Sequence, residues 1–178
     1  MLTWIMIAIV VIVAILLMVI ATRPSEMQVE REAVIEAPAE AVFELVNDYR
    51  QWQHWSPWDH RDPNMERTYS GADAGQGAQY AWRGNKDVGE GRMTIMESRP
   101  GEFVRIHLEF IKPFAVTNET AFLLTPEGGR TRVRWSMSGS QNFVAKAMSL
   151  FMNMEKMIGG DFEKGLTALD AAAKKARE

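Results

Sequence analysis

Cysteine is absent from this 178-residue chain, which excludes disulfides, thiolate metal sites and thiol nucleophiles while leaving the redox compartment open. Histidine is scarce, with only His54, His60 and His107. The run Trp58-Asp59-His60-Arg61-Asp62 sets carboxylates beside one of them, but neighbouring loop residues seldom converge on one ion and Arg61 would repel a cation. No metal or other cofactor is therefore expected. Neither sign of charge dominates: 20 Lys and Arg stand against 23 Asp and Glu, too weak a field to recruit nucleic acid. Gly-rich phosphate loops, nucleophile elbows, zinc spacings and internal repeats are likewise missing. The length suits one domain with a sizeable core and is too short for two plus an anchor.

Charge is missing altogether from residues 1–22, where Leu2 to Ala21 are almost all Ile, Val, Leu, Met and Ala with Trp4 near the start. About 20 helical residues at 1.5 Å each span a hydrocarbon core roughly 30 Å thick. A cleaved signal peptide would carry Lys or Arg ahead of a shorter apolar region and small residues at its exit. The chain starts Met-Leu-Thr-Trp and leaves through Ala-Thr-Arg-Pro, so a retained single-pass transmembrane helix over 1–22 is expected. Arg23 and Arg31 follow the span, and the positive-inside rule then puts the domain on the cytoplasmic side.

Residues 23–26 read as a linker, residues 27–175 as one domain and 176–178 as a tail. Alternation predicts a first strand with Val29, Arg31, Ala33 and Ile35 on one face. Pro38 suits the first turn of a short helix over 38–47, with Val42, Phe43 and Val46 as its apolar stripe. The aromatic-rich segment 48–62 reads as a short helix followed by a loop. Strands at hairpin spacing follow from Glu66, and their shared faces are Ala78/Tyr80/Trp82, Met93/Ile95, Val104/Ile106/Leu108/Phe110, Val116/Asn118/Thr120/Phe122/Leu124 and Thr131/Val133/Trp135/Met137. Turns at Gly84-Asn85, Pro100-Gly101 and 126–129 make this an antiparallel meander. A long amphipathic helix over 142–173 closes the chain, with a kink or close backbone approach expected at Gly159-Gly160.

The run Val34-Ile35-Glu36-Ala37-Pro38-Ala39-Glu40-Ala41-Val42-Phe43-Glu44-Leu45-Val46, then Asn47-Asp48-Tyr49, Trp52 and Trp55-Ser56-Pro57-Trp58, resembles the SRPBCC superfamily, the START-related group that includes polyketide cyclase/dehydrase-like proteins. The run 127–135 and the terminal helix agree with it, so the resemblance covers essentially all of 27–175. It implies an α+β helix-grip fold in which a curved antiparallel sheet wraps a long C-terminal helix around an apolar cavity. The N-terminal anchor is an addition to the common family pattern.

Under that resemblance, Met148, Met152, Met154 and Met157 on the helix would face Tyr80, Trp82, Met93, Ile106 and Trp135 across a pliable ligand cavity. The same residues are equally suited to filling a core. Trp52, Trp55 and Trp58 could form the lid of that cavity, a structural plug, or a membrane-interface patch. Asn118 and Thr120 are polar residues on an inward face, able to orient a ligand or to satisfy buried partners. Three functions stay open: a membrane-tethered binding module for a small hydrophobic molecule, lipid or polyketide/isoprenoid-like; a cyclase- or dehydrase-like enzyme using Asn118 or Tyr80; and an adaptor whose sheet surface, with Arg105, Arg132 and Arg134, binds another protein.

Overall fold

The computed structural model describes residues 1–150 and 153–176. An apolar helix, α1 (Leu2–Ala21), leads into β1 (Glu26–Ile35), α2 (Ala39–Asn47) and a 3-10 helix (Tyr49–His54). The meander follows as β2 (Glu66–Gly71), β3 (Ala78–Arg83), β4 (Glu90–Arg99), β5 (Phe103–Lys112), β6 (Val116–Glu127) and β7 (Arg130–Ser140). Two helices, α3 (Phe143–Met148) and α4 (Met154–Lys175), end the chain.

The seven strands form one antiparallel sheet in the order β1-β7-β6-β5-β4-β3-β2. Each hairpin pairs with its predecessor, and β1 closes the far side by pairing with β7 from Glu26↔Ser140 to Ile35↔Thr131. A register shift between Ile95 and Glu97 in β4 adds local twist and bends the sheet. Every face grouped by alternation is inward: Val29 and Ile35, Tyr80 and Trp82, Ile95, Ile106, Phe122, Val133 and Trp135 are all buried. α4 lies across this concave face through Phe162, Leu166, Leu169 and Ala173. The helix-grip expectation is thus met.

The terminal helix differs from its expected form. Instead of one helix with a kink at the glycines, it is broken between α3 and α4, and α4 runs unbroken through Gly159 and Gly160. The start of α4 explains the separation, because each helix carries its own asparagine cap. Asn142 Oδ1 accepts from the Ala145 N–H and Asn153 Oδ1 from the Lys156 N–H, each at 2.9 Å, so each starts a separate helix. Gly159 provides close approach: a Cβ there would fall 2.1 Å from the Arg31 guanidinium. Arg31 uses that gap to reach Glu155 at 2.9 Å and Glu163 at 2.6 Å, clamping β1 to α4. Pro38 also sits one place earlier than expected, as the N-cap of α2 with extended backbone (ψ 155°).

The convex face of the sheet is laced with ion pairs. Arg132 joins Glu32 and Glu127, Arg134 joins Glu30 and Glu32, and Arg105 joins Glu97 and Glu119. Hydrogen bonds from Arg132 and Arg134 hold the Glu32 carboxyl below its ordinary value, and Lys112 does the same for Glu90. A carboxylate whose folded pKa is depressed stabilises the fold above its unfolded value of 4.5, and that stabilisation is lost as pH falls through the folded value. Stability should therefore decline below about pH 4.5. In Glu32→Gln the acid limb should be shallower, read as denaturation midpoint against pH; an unchanged limb would show that the pair is too solvent-screened to matter.

Candidate functional site

Between the sheet, Phe162 of α4 and the loop after the 3-10 helix lies a cavity of about 90 Å³. Its sheet wall is Tyr80 and Trp82 from β3, Met93 from β4, Leu108 and Phe110 from β5, Thr120 from β6, and Trp135 and Met137 from β7. Trp52, Ser56, Trp58, Asp59 and Met65 close the opposite side, and Val88 of the β3–β4 turn completes it. Trp58, Val88 and Phe110 are half-buried whereas the other lining residues are buried, so the open side lies among these three.

The walls are set by aromatic packing and by hydrogen bonds that pin each indole. Trp135 stacks on Phe162 at 4.0 Å and on Phe122 at 4.8 Å. Its indole N–H donates to the Thr120 hydroxyl at 3.0 Å, and that hydroxyl donates to the Ser136 carbonyl at 2.8 Å. Gly165 makes room for the stack, since a Cβ there would lie 2.7 Å from the Trp135 ring. Trp82 donates to the Val88 carbonyl at 3.0 Å and spreads over Gly91, where a Cβ would lie 2.4 Å from its ring. Trp52 donates to the Val46 carbonyl and Trp55 to the Leu45 carbonyl, both at 2.9 Å.

The loop wall of the cavity carries a buried ion pair. Asp59 is buried and accepts from Arg67 Nε at 2.7 Å. Arg67 also donates to the Met65 carbonyl at 2.9 Å, so the ion pair fastens the loop to β2. Burial pushes the Tyr80 phenol above its ordinary pKa, and the Asp59 carboxylate adds to the effect. Tyr80 therefore keeps its proton near neutrality and is unsuited to act as a base.

The structure brings Trp58, Tyr80, Trp82, Met93, Thr120 and Trp135 together around the cavity. Trp55 and Ile106 are instead fully buried in solid core behind it. Asn118 is buried outside the lining, its carboxamide over Gly139 where a Cβ would lie 1.9 Å from Oδ1. The methionine wall requires correction. Met157 is exposed, Met154 is half-buried away from the cavity, and Met148 belongs to α3 beyond the break. α4 turns Gly159, Phe162, Leu166 and Leu169 inward, which leaves its methionines on other faces. Met152 lies outside the described residues. Among the described residues, the methionines at the cavity are Met65, Met93 and Met137.

Sequence reasoning named Trp52 only as one possible lid residue, and left out Ser56, Asp59, Met65, Val88, Leu108, Phe110, Met137 and Phe162 as lining residues. Alternation already turned Leu108, Phe110 and Met137 inward. Ser56 and Asp59 carry no periodic signal, because an irregular loop has none. Among the described residues no three His, Asp or Glu side chains converge as a metal site would need. A shallower groove between β1 and α4 is bordered by Glu163 and Asp170; Glu163 pairs with Arg31, while Asp170 accepts from the Glu36 N–H and pairs with Lys174.

Comparison with known proteins gives a consistent picture. The model of the family described as "Polyketide cyclase / dehydrase and lipid transport" matches residues 26–174. No curated protein matches the chain. Among solved structures, a Mesorhizobium loti protein is similar at TM-score 0.61 and 14% identity, over 84% of this chain and 98% of its own. The Aha1 dimer from Colwellia psychrerythraea is similar at TM-score 0.58 and 14% identity, over 83% and 96%. CalU16 from Micromonospora echinospora is similar at TM-score 0.55 and 15% identity, over 83% and 84%. At these identities the likeness is one of fold.

Proposed function

The chain belongs to the polyketide cyclase/dehydrase and lipid transport family, and on that premise we propose that it is a membrane-anchored binding protein for one end of a hydrophobic molecule. The observation that carries this reading is the largely apolar hollow walled by Trp82, Met93, Trp135 and Phe162. Such a hollow favours an apolar guest because its walls offer little hydrogen bonding and the guest leaves water.

Size narrows the class. An apolar cavity of about 150 Å³ holds a benzene ring, and pockets that enclose drug-sized ligands run from about 300 Å³ upward. At about 90 Å³ the hollow suits a short alkyl terminus, or a ring once a methionine such as Met93 or Met137 yields. The rest of a lipid, polyketide or isoprenoid chain would leave past Trp58, Val88 and Phe110.

Apolar α1, of membrane-spanning length, would hold the domain beside the pool from which such molecules come. Tyr80 holds its proton more firmly than usual, which does not suit it to the base role that a cyclase- or dehydrase-like reading would give it. The Arg-rich sheet face offers an adaptor little, because Arg105, Arg132 and Arg134 are committed to carboxylates on the same face.

The cavity tryptophans supply a direct test. A small bromoaromatic titrated into the full chain in lipid nanodiscs should quench tryptophan fluorescence saturably, on top of a linear component from partition into lipid. Met137→Phe, which fills the hollow, should remove the saturable part. Purely linear quenching, the same in both proteins, would refute the binding reading.

A further inference from the structure

We infer that the end of the sheet carrying the cavity mouth is docked on the bilayer surface, with the β5–β6 tip and α3 immersed in the lipid interface. This rests on reading α1 as a membrane span, and the lipid-facing side chains are Ile111, Phe114, Phe143 and Val144. They are exposed by 46%, 56%, 53% and 53%, among the large apolar residues that the globular part leaves most open to solvent.

Strand register places them together. β1 begins at Glu26, which pairs with Ser140, and Gly139 pairs with Asn118, so the start of β1 is level with Thr117. From there β6 runs back through Val116, which pairs with Phe110, to the turn holding Phe114. That turn lies up to about 10 Å beyond Glu26 at 3.3 Å per residue. The four residues 22–25 that join α1 to β1 reach at most about 13 Å. The tip therefore stands near the level at which α1 would leave the hydrocarbon. Two to three strand spacings, about 10–14 Å, separate the tip from β1 sideways.

α3 is held at the same level. It packs against α1. The Lys146 ammonium donates to the Ser25 hydroxyl at 2.9 Å, and the Gln141 N–H donates to the Ser25 carbonyl at 2.8 Å. The β3–β4 turn belongs to this end as well, because Glu90 pairs with both Arg83 and Lys112. Val88 of that turn and Phe110 below the tip border the cavity mouth. The docked pose accordingly puts the mouth against lipid. Apolar side chains gain by leaving water for the interface, and Arg23, in the linker after α1, can keep its charge at the headgroups.

The absence of cysteine makes single-site spin labelling direct. Labels at Ile12→Cys, Glu102→Cys, Phe114→Cys and Phe143→Cys in the full chain would be read in phosphatidylcholine liposomes, comparing oxygen with a water-soluble nickel chelate as relaxants. Glu102 lies in the β4–β5 turn at the opposite end of the sheet. Labels 114 and 143 should show an oxygen-to-nickel ratio several-fold above that of label 102 and below that of label 12. If 114 and 143 match 102 while 12 reads as lipid, the docked pose is wrong and the anchor stands. If 12 reads as water, the anchor reading falls and takes the docking with it. Dipolar broadening at 114 or 143 that disappears on dilution with unlabelled chain would assign the patch to a second copy and overturn the inference.

Discussion

Replacing Trp135 with alanine should lower the unfolding free energy by about 3–5 kcal/mol, the range for deleting a large aromatic from a packed core. Trp135 is 2% exposed. It stacks on Phe122 and Phe162 and meets Trp55 and Trp58 edge-on at 5.6 and 5.8 Å. The substitution also strips the Thr120 hydroxyl of its indole donor. Trp58→Ala, at the half-buried mouth, should cost clearly less. Urea unfolding of the full chain in nanodiscs, followed by fluorescence of the remaining tryptophans, measures both. A loss under about 1 kcal/mol for Trp135→Ala would contradict the packing described, because no core aromatic in such surroundings is so dispensable. The same variant opens space beside the hollow, so larger bromoaromatics should begin to quench saturably.

The second large effect is expected at the Asp59–Arg67 pair. Asp59→Ala leaves the Arg67 guanidinium without its carboxylate partner. Breaking a buried pair costs about 3–5 kcal/mol, and the 24% exposure of the Arg67 side chain places the expectation near the low end, about 3 kcal/mol. The double variant Asp59→Leu with Arg67→Met removes both charges, and it should recover most of that loss. A double variant no more stable than Asp59→Ala would mean that the pair's value lies in the loop geometry set by Arg67 and the Met65 carbonyl, not in the charges. Either result separates the pair's structural role from any part in holding a guest.

Under the proposed function, α1 as an anchor, the cavity and the exposed tips would act as one arrangement. A guest dissolved in the membrane would reach Trp58, Val88 and Phe110 without crossing water, which removes the main barrier to moving an apolar molecule into a protein. The hollow's modest size fits such a route, because a molecule held by one end can keep its remainder in lipid.

Most of the fold was legible in the sequence because it is written in local periodicity. Twenty uncharged residues can bury their backbone only as a helix in lipid or in a core, and the two-residue alternation from Ala78 to Met137 chooses an inward face for each strand whatever the rest of the chain does. Those inward faces then supply Tyr80, Trp82, Met93 and Trp135 to the cavity with no further information. What the tertiary structure alone decided is which inward residues meet empty space and which meet one another. Ile106 and Trp82 alternate identically, yet one is packed solid and the other borders the void. The helical methionines read as a wall because a three- and four-residue repeat was carried across residues 149–153, where the Asn153 cap starts a new helix with its own phase. Ser56 and Asp59 reach the site from a loop, and only the Arg67 pair and the packing of Trp52 and Trp55 fix where that loop lies. Packing depends on contacts between residues far apart in the chain, and a repeat read along the chain carries no record of them.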